Sequence, residues 1–173
     1  MVFSKLCDLS PESRSWCVRA RVSRLWDYCG GRDGIAPFHV DLVLVDEEGN
    51  SIYAEAPGRD ADKIKDNVKE GSVYTFSKFI VAPVKAAYRP FVAKYMIKFT
   101  PWTKIDRVEN VSLSFPRFVY NLSPLSDLSS RVGSQLYFTD VLAMITGVST
   151  LGSVRLASSV ADTAIRMVAL KDL

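Results

Sequence analysis

The chain has 173 residues, 48% hydrophobic and 24% charged, with a formal net charge of +3; these are the proportions of a globular chain with room for one ordinary domain and part of another. Three scattered cysteines (Cys7, Cys17 and Cys29), no Cys-x-x-Cys pair and a single histidine, His39, exclude a zinc site. No apolar run reaches the length of a membrane span, and the start MVFSKLCDLS lacks the apolar core of a signal peptide, so a soluble, intracellular protein in a reducing compartment is expected.

Residues 1 to 13 read as a lead-in. From residue 15 to 25, Trp16, Val18, Ala20 and Val22 alternate with Cys17, Arg19, Arg21 and Ser23, the period-two pattern of a half-buried strand. Residues 27 to 37 form a loop punctuated by Gly30, Gly31, Gly34 and Pro37. A second strand over 38–45 turns at Asp46-Glu-Glu-Gly-Asn50 into a third over 51–56. Ala61, Ile64 and Val68 give residues 60–68 the stripe of a short helix, capped by Asp60 and ended by Gly71. Strands four and five follow at 73–81 and 91–99.

Three strands, a helix and two strands is the order of the five-stranded OB-fold barrel, with the helix between strands three and four. The predicted fold class is therefore all-β: an OB barrel with one short helix over residues 14–104. Pro101, Pro116 and Pro124 mark 105–135 as a linker with one short element near residues 115–120. Residues 136–173 read as an incomplete second OB-like segment. There 137–148 is strand-like, with 164–170 as its partner, and helix is the rival reading for 158–170. Two strands cannot close a barrel. The segment is expected to be a shortened second domain or to complete itself against another molecule.

Charge is unevenly spread. Residues 41–70 hold nine acidic and four basic side chains, whereas 78–107 hold seven basic and one acidic. A basic face set against an acidic one suits an anionic ligand.

The series Trp16-Cys-Val-Arg-Ala-Arg-Val22, Leu44-Val-Asp-Glu-Glu-Gly-Asn-Ser-Ile-Tyr53 and Val73-Tyr-Thr-Phe-Ser-Lys78 resembles the first single-stranded-DNA-binding OB domain of the replication protein A large subunit. Arg24-Leu-Trp26 and Tyr88-Arg-Pro90 resemble its plant members, and Tyr137-Phe-Thr-Asp-Val-Leu-Ala-Met-Ile-Thr-Gly147 resembles the opening strand of the next OB domain. The resemblance implies a non-catalytic, nuclear single-strand binder for replication, repair or recombination. Its partners would be single-stranded DNA and other replication protein A subunits or repair proteins, with no cofactor and no membrane. Phosphates would meet Lys and Arg while bases stack on aromatic rings.

Carried over by position, the groove residues are Arg21, Arg24, Trp26, Arg32, Tyr53, Lys78, Lys85, Tyr88 and Arg89. Tyr53 stands where the family has a basic residue. Pro57 stands where it has a stacking phenylalanine, whereas Tyr88 keeps the second ring. The loss at Pro57 keeps a rival open, an OB module that binds protein instead of DNA. His39 and Asp41 share a strand face, and a surface pair is expected of them. No triad, metal set or phosphate loop indicates an enzyme.

Overall fold

The computed structural model describes residues 2–30, 35–155 and 162–173. The described chain forms two compact units. The first runs through Tyr120 and takes in Gln135–Phe138; the second holds Asn121–Ser134 and Thr139–Leu173.

In the first unit, β1 (Cys17–Tyr28), β2 (His39–Val45) and β3 (Ser51–Pro57) form an antiparallel meander. A short helix, α1 (Ala61–Asn67), follows, then β4 (Val73–Ser77), β5 (Ile80–Pro83), β6 (Tyr95–Lys98) and β7 (Lys104–Arg107). The fourth predicted strand is broken in two. Lys78 takes φ 58, a left-handed conformation that a continuous strand cannot contain. Its carbonyl accepts hydrogen bonds from the Thr100 and Thr103 hydroxyls at 3.0 and 3.2 Å. Across this break β4 pairs antiparallel with β1, while β5 pairs antiparallel with β6, which lies parallel to β3. With β4 and β5 counted as one bent strand, the order β1-β2-β3-β6-β5/β4 returns to β1. This is the OB barrel, with β7 added along β4 as an extra strand.

The alternation sends Val18, Ala20, Val22, Val40, Leu42, Leu44, Ala54, Phe76 and Ile97 inward, all fully buried. Phe99 joins them, and Trp16 packs against the cluster while its indole N–H donates to the Ser10 carbonyl at 2.9 Å. Ile64 and Val68 close one end from α1. Asp60 occupies the N-cap position without a capping hydrogen bond, because Gly58–Asp60 already form a single helical turn feeding α1; the helix stops at Asn67, before Gly71. The hairpin turn is organised by Asp46. Its buried carboxylate accepts the backbone N–H groups of Glu48, Asn50 and, from the lead-in, Leu6 at 3.1, 2.9 and 3.0 Å.

The fifth strand is shorter than its sequence pattern, since residues 91–94 form no ladder. Residues 115–120 have no regular secondary structure. In the second unit, β8 (Met144–Val148) pairs with β11 (Val168–Lys171), and β9 (Gly152–Val154) with β10 (Thr163–Ile165), both antiparallel. The predicted pairing of 137–148 with 164–170 is thus realised only over its later residues. Helix is absent among the described residues of 158–170; the others of that stretch lie outside the described residues.

Gly58 sits where the β3 end meets the loop entering β2. A Cβ there would lie 1.9 Å from the Pro37 carbonyl oxygen, backbone that cannot step aside. Gly58→Ala is expected to cost roughly 3 kcal/mol of stability, read as a lower urea midpoint with an unchanged slope.

Candidate nucleic-acid interface

The register of the meander builds the site. Residues facing away from the barrel core line up in rows across β1, β2 and β3. One row is Trp26–Asp41–Glu55, continued onto β6 by Lys98; the next is Tyr28–His39–Pro57. Before them come Arg24, Val43 and Tyr53.

Asp41 is the centre of this face and is almost fully buried. An unpaired carboxylate there would be costly. Its Oδ1 accepts the Tyr53 hydroxyl proton at 2.6 Å and lies 2.7 Å from His39 Nδ1. Its Oδ2 faces the Lys85 ammonium at 3.9 Å, and Lys85 also approaches Glu55 Oε2 at 3.6 Å. Lys98 stands 4.0 Å from the other Glu55 oxygen. His39, Asp41 and Glu55 offer ligand atoms close enough together to hold a metal ion. Lys85 and Lys98 already set two cations against the Asp41 and Glu55 carboxylates.

Aromatic rings frame the same centre. Trp26 stacks over Tyr53 at 6.4 Å, Tyr28 stacks on His39 at 4.4 Å, and Phe138 meets Trp26 edge-on at 6.0 Å. Trp26, Tyr28, Asp41, Lys85, Ala87, Tyr88 and Phe138 line a cleft of about 280 Å³. Phe138 reaches it on a segment that runs beside the turn after β5. There the Tyr88 and Arg89 N–H groups donate to the Gln135 and Leu136 carbonyls at 2.6 and 3.0 Å, and the Phe138 N–H donates to the Arg89 carbonyl at 2.8 Å.

The nine sequence-predicted residues divide. Trp26, Lys85 and Tyr88 come together at the cleft. Tyr53 lies beneath it with its ring covered, the Lys85 ammonium 4.6 Å above, and acts by holding Asp41. Arg89 lies beside it, its guanidinium 5.0 Å from the Tyr137 ring and donating to the Ala86 carbonyl. Lys78, at the strand break, is exposed. Arg32 lies outside the described residues.

Arg21 and Arg24 have other work. Arg21 donates to the carbonyls of Gly71, Phe115 and Pro116, and Arg24 to that of Val119. A β-bulge at Ser23 turns its hydroxyl to accept the Val119 N–H at 3.1 Å. These three residues fasten residues 115–120 along β1, and Phe115 is buried there. Residues 105–120 are thus part of the first unit.

Sequence reasoning did not place Tyr28, Asp41 or Phe138 at the groove; the fold brings all three to the cleft. Tyr28 and Asp41 have a readable signal, since each falls on the outward parity of its strand. Phe138 has none, because only the folded chain brings it 50 residues back to Tyr88.

Arg21→Ala is expected to lower stability by roughly 2 kcal/mol, seen in the urea midpoint, without changing the salt dependence of ligand binding. Burial first, then the hydrogen bond to Asp41, pushes the Tyr53 phenol well above its ordinary pKa of 10.0. Above pH 10 the unfolded chain loses this proton while the folded chain keeps it, so the stability contributed by Tyr53 declines as pH rises beyond 10. Unfolding curves between pH 8 and 11.5 should show a shallower alkaline loss for Tyr53→Phe than for the wild type.

Comparison with known proteins places this geometry in a family. The chain is 24% identical over 168 residues to a 70 kDa DNA-binding subunit of replication protein A from Arabidopsis thaliana, covering 95% of this chain and 21% of that protein. It superposes on a chain of a replication protein A heterotrimer bound to single-stranded DNA with a TM-score of 0.64 at 21% identity, covering 97% of this chain and 38% of that one. DNA-binding domain A of Saccharomyces cerevisiae replication protein A is 26% identical, with a TM-score of 0.47 over 64% of this chain and 96% of that domain. This chain therefore spans well under half the length of the larger replication proteins it resembles. The match that covers most of its first unit is to a family described as "Domain of unknown function DUF223", over residues 7–129, and the chain belongs to that family.

Proposed function

We propose that this chain binds single-stranded DNA, with the cleft between Trp26, Tyr28 and Tyr88 as its stacking site. The observation that carries the reading is the cleft itself: aromatic walls, Lys85 inside and Arg89 at its margin, on the outward face of an OB barrel. Rings of this kind accept any base on their π-faces, and the cations meet the phosphates. The plant relative described as DNA-binding supports the ligand class. The chemistry gathered here stacks rings and pairs charges, which is binding and not catalysis. Nuclear work in replication or repair, beside partner subunits of the replication protein A type, belongs to the same proposal.

One observation favours a protein ligand instead. The middle of the face is acidic at Asp41 and Glu55, and Arg21 and Arg24 are committed to residues 115–120. A protein ligand would need neither phosphates nor single strands.

Fluorescence anisotropy with a labelled mixed-sequence oligonucleotide separates the two. Single-strand affinity falls with a log–log salt slope of about 0.7 per phosphate neutralised, so Lys78, Arg89 and Lys98 together predict a slope of roughly −2. Tyr88→Ala should weaken binding roughly 5- to 100-fold, and Lys78→Gln should flatten the slope by about 0.7. No binding at low salt would sink the DNA reading.

A further inference from the structure

We propose that the cleft admits one nucleobase and selects a base with an exocyclic amino group, cytosine foremost, over thymine. The proposal rests on the single-strand reading above and adds a base preference to it. At about 280 Å³ the cleft falls at the small end of ligand pockets, which suits one ring system. Its walls are aromatic, so a planar heterocycle enters between Trp26, Tyr28, Tyr88 and Phe138.

Stacking alone does not choose a base; Asp41 does. It is a buried side chain lining the cleft, placed to accept hydrogen bonds. Both hydrogen-bonding neighbours, the Tyr53 hydroxyl and His39 Nδ1, are on Oδ1. Among the described residues no hydrogen bond falls on Oδ2, whose neighbour is the Lys85 ammonium at 3.9 Å. Tyr53 and His39 also fix the plane of the carboxylate, so Oδ2 is a positioned acceptor beside a cationic donor.

Cytosine matches that pair. Its N4 amino group donates to a carboxylate, the pairing expected of Asp with this base, and its neighbouring N3 accepts from an ammonium. Thymine offers one donor, N3–H, set between two carbonyl oxygens. Bringing N3–H to Oδ2 presses O2 or O4 against the same carboxylate. Adenine and guanine carry amino groups on larger ring systems and rank between the two.

The test measures anisotropy with the full chain and labelled oligo-dC and oligo-dT of equal length, at one neutral pH and one salt concentration. Oligo-dC is expected to bind about tenfold more tightly. An oligo-dC made with N4,N4-dimethylcytosine, which lacks both amino protons, should fall to the oligo-dT level; this arm leaves the protein untouched. Asp41→Asn puts an N–H donor on an isosteric side chain and should bring the ratio of oligo-dC to oligo-dT affinity to about one, with a thermal melt as the check on folding. Equal affinity for oligo-dC and oligo-dT, or tighter oligo-dT binding, overturns the base preference and leaves single-strand binding standing. Binding of neither overturns both.

Discussion

A sheet of few strands can wrap its core only if one strand serves two neighbours, and here that duty falls on the strand broken at Lys78. Before the break it pairs with β1; after it, with β6. The left-handed turn at Lys78 is unfavourable for a residue with a Cβ. It is held because two threonine hydroxyls from the segment after β6 bind the Lys78 carbonyl. Barrel closure and the enclosed core follow from that reversal. A strand that ran straight on could pair with only one of β1 and β6 and would leave the other an open edge, exposed to pairing with other chains.

The outward face is divided between two tasks. Along β1, Arg21, Ser23 and Arg24 hold residues 115–120 and cover the strand. Toward the ends of β1 and β2, Trp26, Tyr28, His39 and Asp41 leave a cleft open. The division explains how arginines on a prospective binding face can be structural. A guanidinium carries several donors, and backbone carbonyls of an irregular segment need partners as much as phosphates do.

Much of the barrel was legible because period-two alternation is a strong signal when one face is buried; Val18, Ala20 and Val22 all fell where it put them. The break at Lys78 was not legible, since nothing in Phe-Ser-Lys-Phe marks a left-handed residue. Asp60 looked like a cap, but a preceding helical turn took over its role. In the candidate site, position along the chain pointed to Trp26, Lys85 and Tyr88, which the fold gathers at one cleft, and to Arg21 and Arg24, which it sets against residues 115–120; alternation tells which way a side chain points and not what comes to meet it. Pro57 looked like a lost ring. Its cross-strand neighbour His39 stacks with Tyr28, so aromatic surface stands one strand away from where the family pattern put it.

The Phe138 wall is built differently from the others. Trp26 and Tyr28 belong to a strand paired along its length, whereas Phe138 is delivered by a short stretch held to Tyr88 and Arg89 through three backbone hydrogen bonds. Such a stretch peels away at far lower free energy than the barrel unfolds. One side of the cleft thus hangs on a local attachment while the other sides are fixed by the ladder of the barrel, so the walls differ in how firmly they are held.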